Sequence, residues 1–225
     1  MAKVHGIAGE WARVEGTVLG LWPLFLGVFL GGFSLALAFF KSLSFGLFCF
    51  VLSAVWFGWS LMRGVRRVER FFKGARGEEH VALILKSLPE TYHVFNDFLA
   101  GRTHVDHVVV GPTGVFAVET KCWRAPVTIE EGRILVDGRL PSRPPLAQAL
   151  REAELVRTAL AAAGWKGPVT PILAFASDTF TAHLAELQGA IIINSCDLKK
   201  SFEGGRTVLS QAELDRLVSL MESNS

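Results

Sequence analysis

The stretch that decides the fold runs from residue 105 to residue 121 and reads Val-Asp-His-Val-Val-Val-Gly-Pro-Thr-Gly-Val-Phe-Ala-Val-Glu-Thr-Lys. Two short apolar runs flank a Gly-Pro-Thr-Gly turn, a pattern that predicts two neighbouring strands. Side chains alternate along a strand, so Glu119 and Lys121 are expected on one face of the second strand. Asp106 lies on the first strand. The sequence therefore predicts two carboxylates and an ammonium in one small pocket.

That set of side chains is typical of a metal-dependent phosphodiesterase. Two carboxylates can hold a divalent cation, because such cations prefer oxygen ligands. A nearby ammonium can orient a water molecule or offset charge that develops on phosphorus. An isolated Glu119-x-Lys121 pattern would be weak, because alternating charges are common on solvated strands. Asp106 on the preceding strand makes the functional interpretation the stronger one.

Two long uncharged runs precede this stretch. Residues 17–40 contain no charged side chain, and neither do residues 42–62. At about 1.5 Å rise per residue, each run is long enough to cross a hydrocarbon core of about 30 Å. Only Lys41 separates them, so residues 17–62 are predicted to form a two-span transmembrane hairpin. A cleavable signal peptide ending near residue 38 is disfavoured, because a second span follows immediately.

A basic segment follows the second span, with a single acid, Glu69. The basic residues are Arg63, Arg66, Arg67, Arg70, Lys73 and Arg76. By the positive-inside tendency, this side of the hairpin is cytoplasmic. We therefore expect a multi-pass protein of the inner (plasma) membrane, with both termini and the soluble domain in the cytoplasm. Anionic lipid headgroups are the expected partner of the basic segment.

The chain is thus divided into four parts. They are an N-terminal cytoplasmic segment (1–16), the transmembrane hairpin (17–62), a basic juxtamembrane connector (63–76) and a soluble domain (77–225). Within the soluble domain, helical spacing at 77–88 ends at Pro89, and short strands follow it. A helix from Pro145 to about residue 163 precedes apolar strands at 169–176 and 190–194, and a capping box at Ser210 opens the last helix. The predicted fold class is α/β, a mixed sheet flanked by helices.

The three cysteines, Cys49, Cys122 and Cys196, lie far apart and form no CxxC pair. This spacing indicates neither a zinc-binding framework nor a disulfide framework. Free thiols are consistent with a reducing cytoplasm.

Several motifs together resemble the nuclease-related domain family, NERD. They are Gly77-Glu78 at the start of a helix, Asp106-His107, Glu119-x-Lys121-x-Trp123, and Gln148 on a later helix. The resemblance covers roughly residues 74–175. It implies a restriction-endonuclease-like core of the PD-(D/E)xK superfamily, dependent on Mg²⁺ or Mn²⁺ and acting on nucleic acid, with DNA favoured.

The resemblance also implies a role for each site residue. Asp106 and Glu119 would bind the metal ion, and Glu78 would supply a further ligand. Lys121 would position the attacking water and offset the charge of the transition state. Gln148 would contact the substrate backbone or hold the site together.

Structural alternatives remain for several of these residues. Lys121 and Glu119 could form a purely structural ion pair. Gln148 could be a surface glutamine, and Trp123 is better explained by packing than by base stacking. His104 and His107 flank Asp106, but strand histidines are usually structural.

Charge supports an alternative function. Residues 77–225 contain 14 basic and 18 acidic residues, a formal charge of −4, whereas nucleic-acid surfaces are commonly basic. The alternative is a non-catalytic membrane adaptor that uses the same fold to bind nucleic acid or a protein partner. A third possibility is that the soluble domain regulates an associated membrane complex and that the hairpin contacts this protein partner, since small residues there permit close helix packing. These residues are Gly27, Gly31, Gly32 and Gly46.

Overall fold

The computed structural model describes residues 1–162, 164–202 and 205–223. It contains two compact units. One unit combines Met1–Glu10 with Gly74–Ser225, and the other is Trp11–Lys73. The first residues of the chain therefore belong to the same unit as the C-terminal domain, an association that the sequence patterns do not reveal.

The Trp11–Lys73 unit consists of two long helices. Helix α1 spans Glu10–Phe40, and helix α2 begins at Leu43 and ends at Lys86. Both are long and apolar enough to cross a membrane. Only 11% of the most apolar window of α1 and 17% of that of α2 is buried. Such exposed apolar helices are unlike the core helices of a water-soluble domain, which bury their apolar side chains.

Glycines allow close packing inside this helical pair. A Cβ at Gly46 would overlap Ala38, and a Cβ at Gly27 would lie 3.2 Å from the Phe57 ring. Gly31 faces only the Ser53 hydroxyl, at 3.7 Å, and Gly32 meets nothing within 4 Å among the described residues. Gly27 and Gly46 thus serve the packing of the hairpin itself, whereas Gly31 and Gly32 leave space for another group.

Helix α2 continues through the basic connector into the C-terminal domain. The helix predicted at residues 77–88 is therefore present, but it is the last part of α2 rather than a separate element. The physical reason is that no proline interrupts the chain between Leu43 and Pro89, and isolated glycines cost a helix only about 1 kcal/mol each. Val81 and Leu85 on this last part are fully buried.

The C-terminal unit is built on a seven-stranded mixed sheet with the order β1-β2-β3-β4-β7-β9-β8. The strands are β1 (Lys3–His5), β2 (His93–Ala100), β3 (Thr103–Gly111), β4 (Gly114–Lys121), β7 (Val169–Phe175), β8 (Leu184–Leu187) and β9 (Ala190–Asn194). β4, β7 and β9 run parallel, and the β2-β3-β4 segment is antiparallel. A separate hairpin pairs β5 (Val127–Glu130) with β6 (Arg133–Val136). The predicted mixed α/β sheet is confirmed.

Helices cover both faces of the sheet. The last part of α2 packs on one face, against Val109, Val118 and Ile172. Helices α3 (Pro145–Ala162) and α4 (Gln211–Glu222) pack on the other face, against Val108 and Ala117. Each large apolar side chain buried in these layers contributes roughly 1.5–3 kcal/mol. Ala117 of β4 packs on the face covered by α3, and Val118 packs on the face covered by α2. The odd-numbered side chains of β4 therefore point toward α3.

Two strands lie outside what the patterns predict. β1 pairs in parallel with β2, Lys3 opposite His93, and the Ala2 amide donates to the Lys86 carbonyl at 3.0 Å. β8 pairs antiparallel with β9 at the other end of the sheet. Both strands are too short, at three and four residues, to show an alternating pattern. The capping box at Ser210 and Glu213 is confirmed, while residue 163, near the predicted end of α3, lies outside the described residues.

Candidate active site

The sheet divides where Asp106 lies. The β3–β4 pairing ends at His107 opposite Val118, whereas the β4–β7 pairing continues to Lys121 opposite Phe175. Beyond this point, the Asp106 carboxylate accepts a hydrogen bond from the Thr120 amide at 2.7 Å. A side chain thus takes the place of a main-chain partner, so Asp106 is fixed in the fork between the two strands.

Asp97 lies opposite Asp106 on β2, and sequence reasoning missed it. The regular pairs on either side are Asn96 with His107 and Phe98 with Val105, but Asp97 has a φ of 54°. This left-handed conformation is uncommon for a residue with a side chain, and Asp97 forms no regular pair within the otherwise continuous strand. Asp97 also contacts His104, with 2.9 Å between Oδ1 and Nδ1. An acid inside an apolar strand was the only signal available in the sequence.

β4 carries the next two site residues. Glu119 is 2% exposed, and Lys121 donates hydrogen bonds to Glu119 Oε1 and to Gln148 Oε1, the latter at 3.0 Å. The odd-numbered alternation of β4 places both side chains toward α3, which carries Gln148. The ion pair left open by the sequence is therefore present, and Gln148 is part of the site rather than a separate surface residue.

Glu152 extends this group and is the second acid that sequence reasoning missed. Gln148 Nε2 donates to Glu152 Oε1 at 2.9 Å, and Glu152 is only 2% exposed. The bond to Glu152 fixes which end of the Gln148 amide faces Lys121. A Gln and a Glu spaced by four residues lie on one helix face, so this spacing was the signal in the sequence.

Glu78, on the last part of α2, faces the same cluster. The Gly9 main chain forms a hydrogen bond with its carboxylate. Asn96 Nδ2 donates to the Gly6 carbonyl at 3.3 Å, which holds the same N-terminal segment against β2. Gly9 has a φ of 69°, and a Cβ there would lie 2.8 Å from that of Ala75, so only glycine fits. The N-terminal segment thus helps to position a site carboxylate.

Burial and mutual repulsion raise the pKa values of Glu78, Asp106 and Glu152. Desolvation, followed by the charge of Glu119 and a carboxyl contact with it, raises the pKa of Glu152 to about 9. Desolvation and the charges of Asp97 and Glu119 raise the pKa of Glu78 to about 7. The pKa of Asp106 is raised well above its usual value by burial and then by the charges of Glu119, Glu78 and Glu152.

Lys121 responds in the opposite direction. Burial alone lowers the pKa of its ammonium, but the charges of Glu119, Asp106 and Glu152 together outweigh burial and raise the pKa above its ordinary value. Lys121 therefore stays protonated and is the cation around which the acids gather.

This arrangement fits a hard divalent cation. Among the described residues, Glu119 Oε2 and Glu152 Oε2 are buried and have no hydrogen-bond donor. Buried carboxylates that repel one another are stabilised by a cation, and Mg²⁺ and Mn²⁺ prefer oxygen ligands. Glu78, Asp106 and Glu119 are the residues that could hold such an ion.

Two neighbouring side chains have structural roles. His107 is fully buried, lies 2.8 Å from Asn96 Oδ1 through Nδ1, and has its pKa lowered to about 3 by burial. The Trp123 ring packs 5.7 Å from the Phe175 ring, between centroids. These contacts agree with the structural interpretations of both residues.

Comparison with known proteins matches part of the chain to a family. The family model NERD, described as nuclease-related domain, matches residues 73–176. No curated protein and no solved structure matches the chain significantly. The matched residues include the fork of the sheet, Gln148 and Glu152.

Proposed function

From the match of residues 73–176 to the nuclease-related domain, we propose that the protein is a metal-dependent nuclease that hydrolyses phosphodiester bonds of DNA. The observation that carries the proposal is the group of buried and half-buried carboxylates at the fork of the sheet, next to Lys121. Phosphodiester hydrolysis needs an electrophile, an oriented water molecule and positive charge near phosphorus. The cluster can supply each of these when it holds a metal ion.

Glu78, Asp106 and Glu119 would hold Mg²⁺ or Mn²⁺. When bound, such an ion polarises a phosphoryl oxygen and lowers the pKa of a coordinated water molecule. Lys121 supplies a fixed positive charge beside these carboxylates and can orient the attacking water. Gln148 holds the Lys121 ammonium in place, and Glu152 fixes the Gln148 amide in turn.

The hairpin would anchor this activity at a membrane. Helix α1 and the apolar part of α2 would form the two spans, and the basic residues 63–76 would lie at the cytoplasmic surface. Both termini and the nuclease-related domain would then be cytoplasmic. Anionic headgroups are the partners that fit the basic segment.

The test uses the full-length protein in lipid nanodiscs, because Met1–Glu10 completes the sheet. Single-stranded and double-stranded DNA and RNA are incubated with Mg²⁺, Mn²⁺ or a chelator. We expect metal-dependent cleavage of DNA that falls at least about 100-fold in Asp106→Asn and Glu119→Gln, a loss typical of removing one group that stabilises a transition state. Glu154→Gln is the matched control, because Glu154 is an exposed acid on the same helix as Gln148.

Cleavage that survives Asp106→Asn, or no cleavage by the wild-type protein with any metal and substrate, would reject the nuclease. The alternative is then a membrane adaptor that binds nucleic acid or a protein partner without cutting. The observation in favour of the adaptor is that residues 77–225 contain 18 acidic but only 14 basic residues. An adaptor would retain its partner after Asp106→Asn.

A further inference from the structure

A second cluster of metal-binding side chains lies outside the residues matched by the nuclease-related domain. Asp178 follows β7, His183 precedes β8, and Cys196 follows β9. One potential ligand atom from each of the three lies within 4.8 Å of the others. The spacing of the cysteines predicts no zinc framework, because these three residues come from separate elements and show no ligand spacing along the chain.

The distance between Asp178 and His183 in this cluster suits tetrahedral coordination. His183 Nδ1 lies 3.6 Å from Asp178 Oδ1. Two atoms that are each about 2.0–2.3 Å from a tetrahedral zinc ion lie roughly 3.3–3.8 Å apart. The Cys196 sulfur lies within 4.8 Å of the ligand atoms of the other two residues, and all three side chains are exposed.

The chemistry of the donors distinguishes this cluster from the carboxylates of the candidate active site. Imidazole nitrogen and thiolate sulfur favour zinc over Mg²⁺ or Mn²⁺, which prefer oxygen. Cys196 would bind as a thiolate and release its proton to solvent. The cluster therefore selects a different class of metal ion from the fork of the sheet.

A buried residue already contacts two of the three residues. Asn194 is fully buried, and its Nδ2 donates to Asp178 Oδ1 and to the Phe180 carbonyl, each at 2.8 Å. Its main-chain amide donates to the His183 carbonyl at 3.1 Å. Its Oδ1 accepts from the Phe180 amide at 3.1 Å, which fixes the Asn194 side chain itself. Supporting contacts of this kind orient ligands in metal sites.

The main chain at His183 also adopts an uncommon conformation. Its φ is 59°, in the left-handed region that residues with side chains seldom occupy. Such conformations persist only where neighbouring contacts enforce them, and they concentrate at functional sites.

Asp197 completes the surroundings of the cluster. Its Oδ2 lies 3.6 Å from His183 Nδ1 and 3.5 Å from the Cys196 sulfur, while Oδ1 accepts from Lys200. Asp197 therefore places a second carboxylate beside the ligand atoms. The Cys196 thiol donates to Oδ2, while Oδ1 is already paired with the Lys200 ammonium.

We propose that Asp178, His183 and Cys196 bind one zinc ion. The site is distinct from the candidate active site in its residues and in its donor chemistry. It would tie the segments after β7 and β9 to the start of β8, and so stabilise the far edge of the sheet.

The test uses the full-length protein in nanodiscs, with its thiols kept reduced and its metals removed by a chelator. Cobalt is titrated first, because tetrahedral cobalt absorbs visible light and a thiolate ligand adds a charge-transfer band in the near ultraviolet. Zinc is then added to displace cobalt. Oxygen ligands at the candidate active site give no thiolate band, so failure of the nuclease assay does not affect this readout.

We expect the thiolate band in the wild-type protein and its loss in Cys196→Ser. His183→Ala and Asp178→Asn should each weaken zinc binding at least about tenfold, since even supporting residues cost 10–100-fold when removed. The matched controls are Cys122→Ser, which removes another thiol of the same unit, and His80→Ala, which removes an exposed imidazole. Both controls should bind cobalt and zinc like the wild type.

The proposal is overturned if the wild-type protein shows no thiolate band. It is also overturned if the band persists in Cys196→Ser, or if zinc affinity is unchanged in both His183→Ala and Asp178→Asn. Because the three proposed ligands are exposed, circular dichroism should show the same fold in their variants as in the wild type.

Discussion

Glu152→Gln should stabilise the protein at alkaline pH when no divalent metal is present. Glu152 is 2% exposed and lies beside Glu119, so its charged form is costly in the folded protein. The introduced amide is nearly the same size and carries no charge. Its oxygen can still accept the hydrogen bond from Gln148, and its nitrogen can donate to the Glu119 oxygen that has no donor.

The magnitude follows from the pKa of Glu152, which rises from an ordinary value of 4.5 to about 9 in the folded chain. Between these values the folded chain holds a proton that the unfolded chain has released, so stability falls as pH rises. One pKa unit corresponds to about 1.36 kcal/mol, so a rise from pH 5 to pH 8 costs at most about 4 kcal/mol. Because neighbouring carboxyls share the protons, we expect Glu152→Gln to recover about 2 kcal/mol of this loss at pH 8.

The assay is urea unfolding of the full-length protein in nanodiscs at pH values between 5 and 9, with a chelator present. Pulse proteolysis measures the unfolded fraction at each urea concentration. Glu152→Gln should match the wild type near pH 5 and exceed it progressively at higher pH. Glu154→Gln is the control, because Glu154 lies on the same helix and is exposed. The reasoning is refuted if Glu152→Gln shows the same pH dependence as the wild type, or if the control shows an equal gain.

Two further predictions concern the metal ligands and the N-terminal segment. Calorimetric titration with Mn²⁺ should show an affinity that rises between pH 6 and pH 8, by up to about tenfold per pH unit for each proton displaced. The reason is that burial and nearby acids raise the pKa of Glu78 to about 7. An affinity that does not change with pH, or unchanged binding in Asp106→Asn, would contradict this. Deleting residues 2–9 should cost about 3–4 kcal/mol, since it removes four hydrogen bonds worth about 1 kcal/mol each. These bonds join Ala2 to Lys86, Lys3 to Tyr92, Gly6 to Asn96 and Gly9 to Glu78. Hydrogen exchange should then accelerate in β2, whereas Val4→Ala, which keeps the main chain, should exchange like the wild type.

Local patterns of the sequence predicted most of the sheet. β3 and β4 follow from their apolar runs and the Gly-Pro-Thr-Gly turn, and α4 follows from its capping box. β1 and β8 were missed because three or four residues carry no period, and their pairing partners lie elsewhere in the chain. The continuity of α2 was missed because a change in composition from apolar to basic suggested a boundary that the backbone does not have.

The candidate site divides in the same way. Asp106, Glu119 and Lys121 are close in the chain, so the alternation of two neighbouring strands was enough to associate them. Asp97 and Glu152 were missed, because one depends on a left-handed residue opposite Asp106 and the other on the packing of α3 against β4. No spacing along the chain encodes either contact.

The sequence by itself determined the two apolar helices, the mixed α/β class and the nuclease-related motifs. Each of these depends on residues that are near one another in the chain, where periodicity and composition act directly. Only the tertiary structure decided that Met1–Glu10 joins the sheet, that Glu152 lies beside Glu119, and that Asp178, His183 and Cys196 meet. Those contacts join distant segments, and they exist because burying the apolar faces of the helices on the sheet brings polar side chains together.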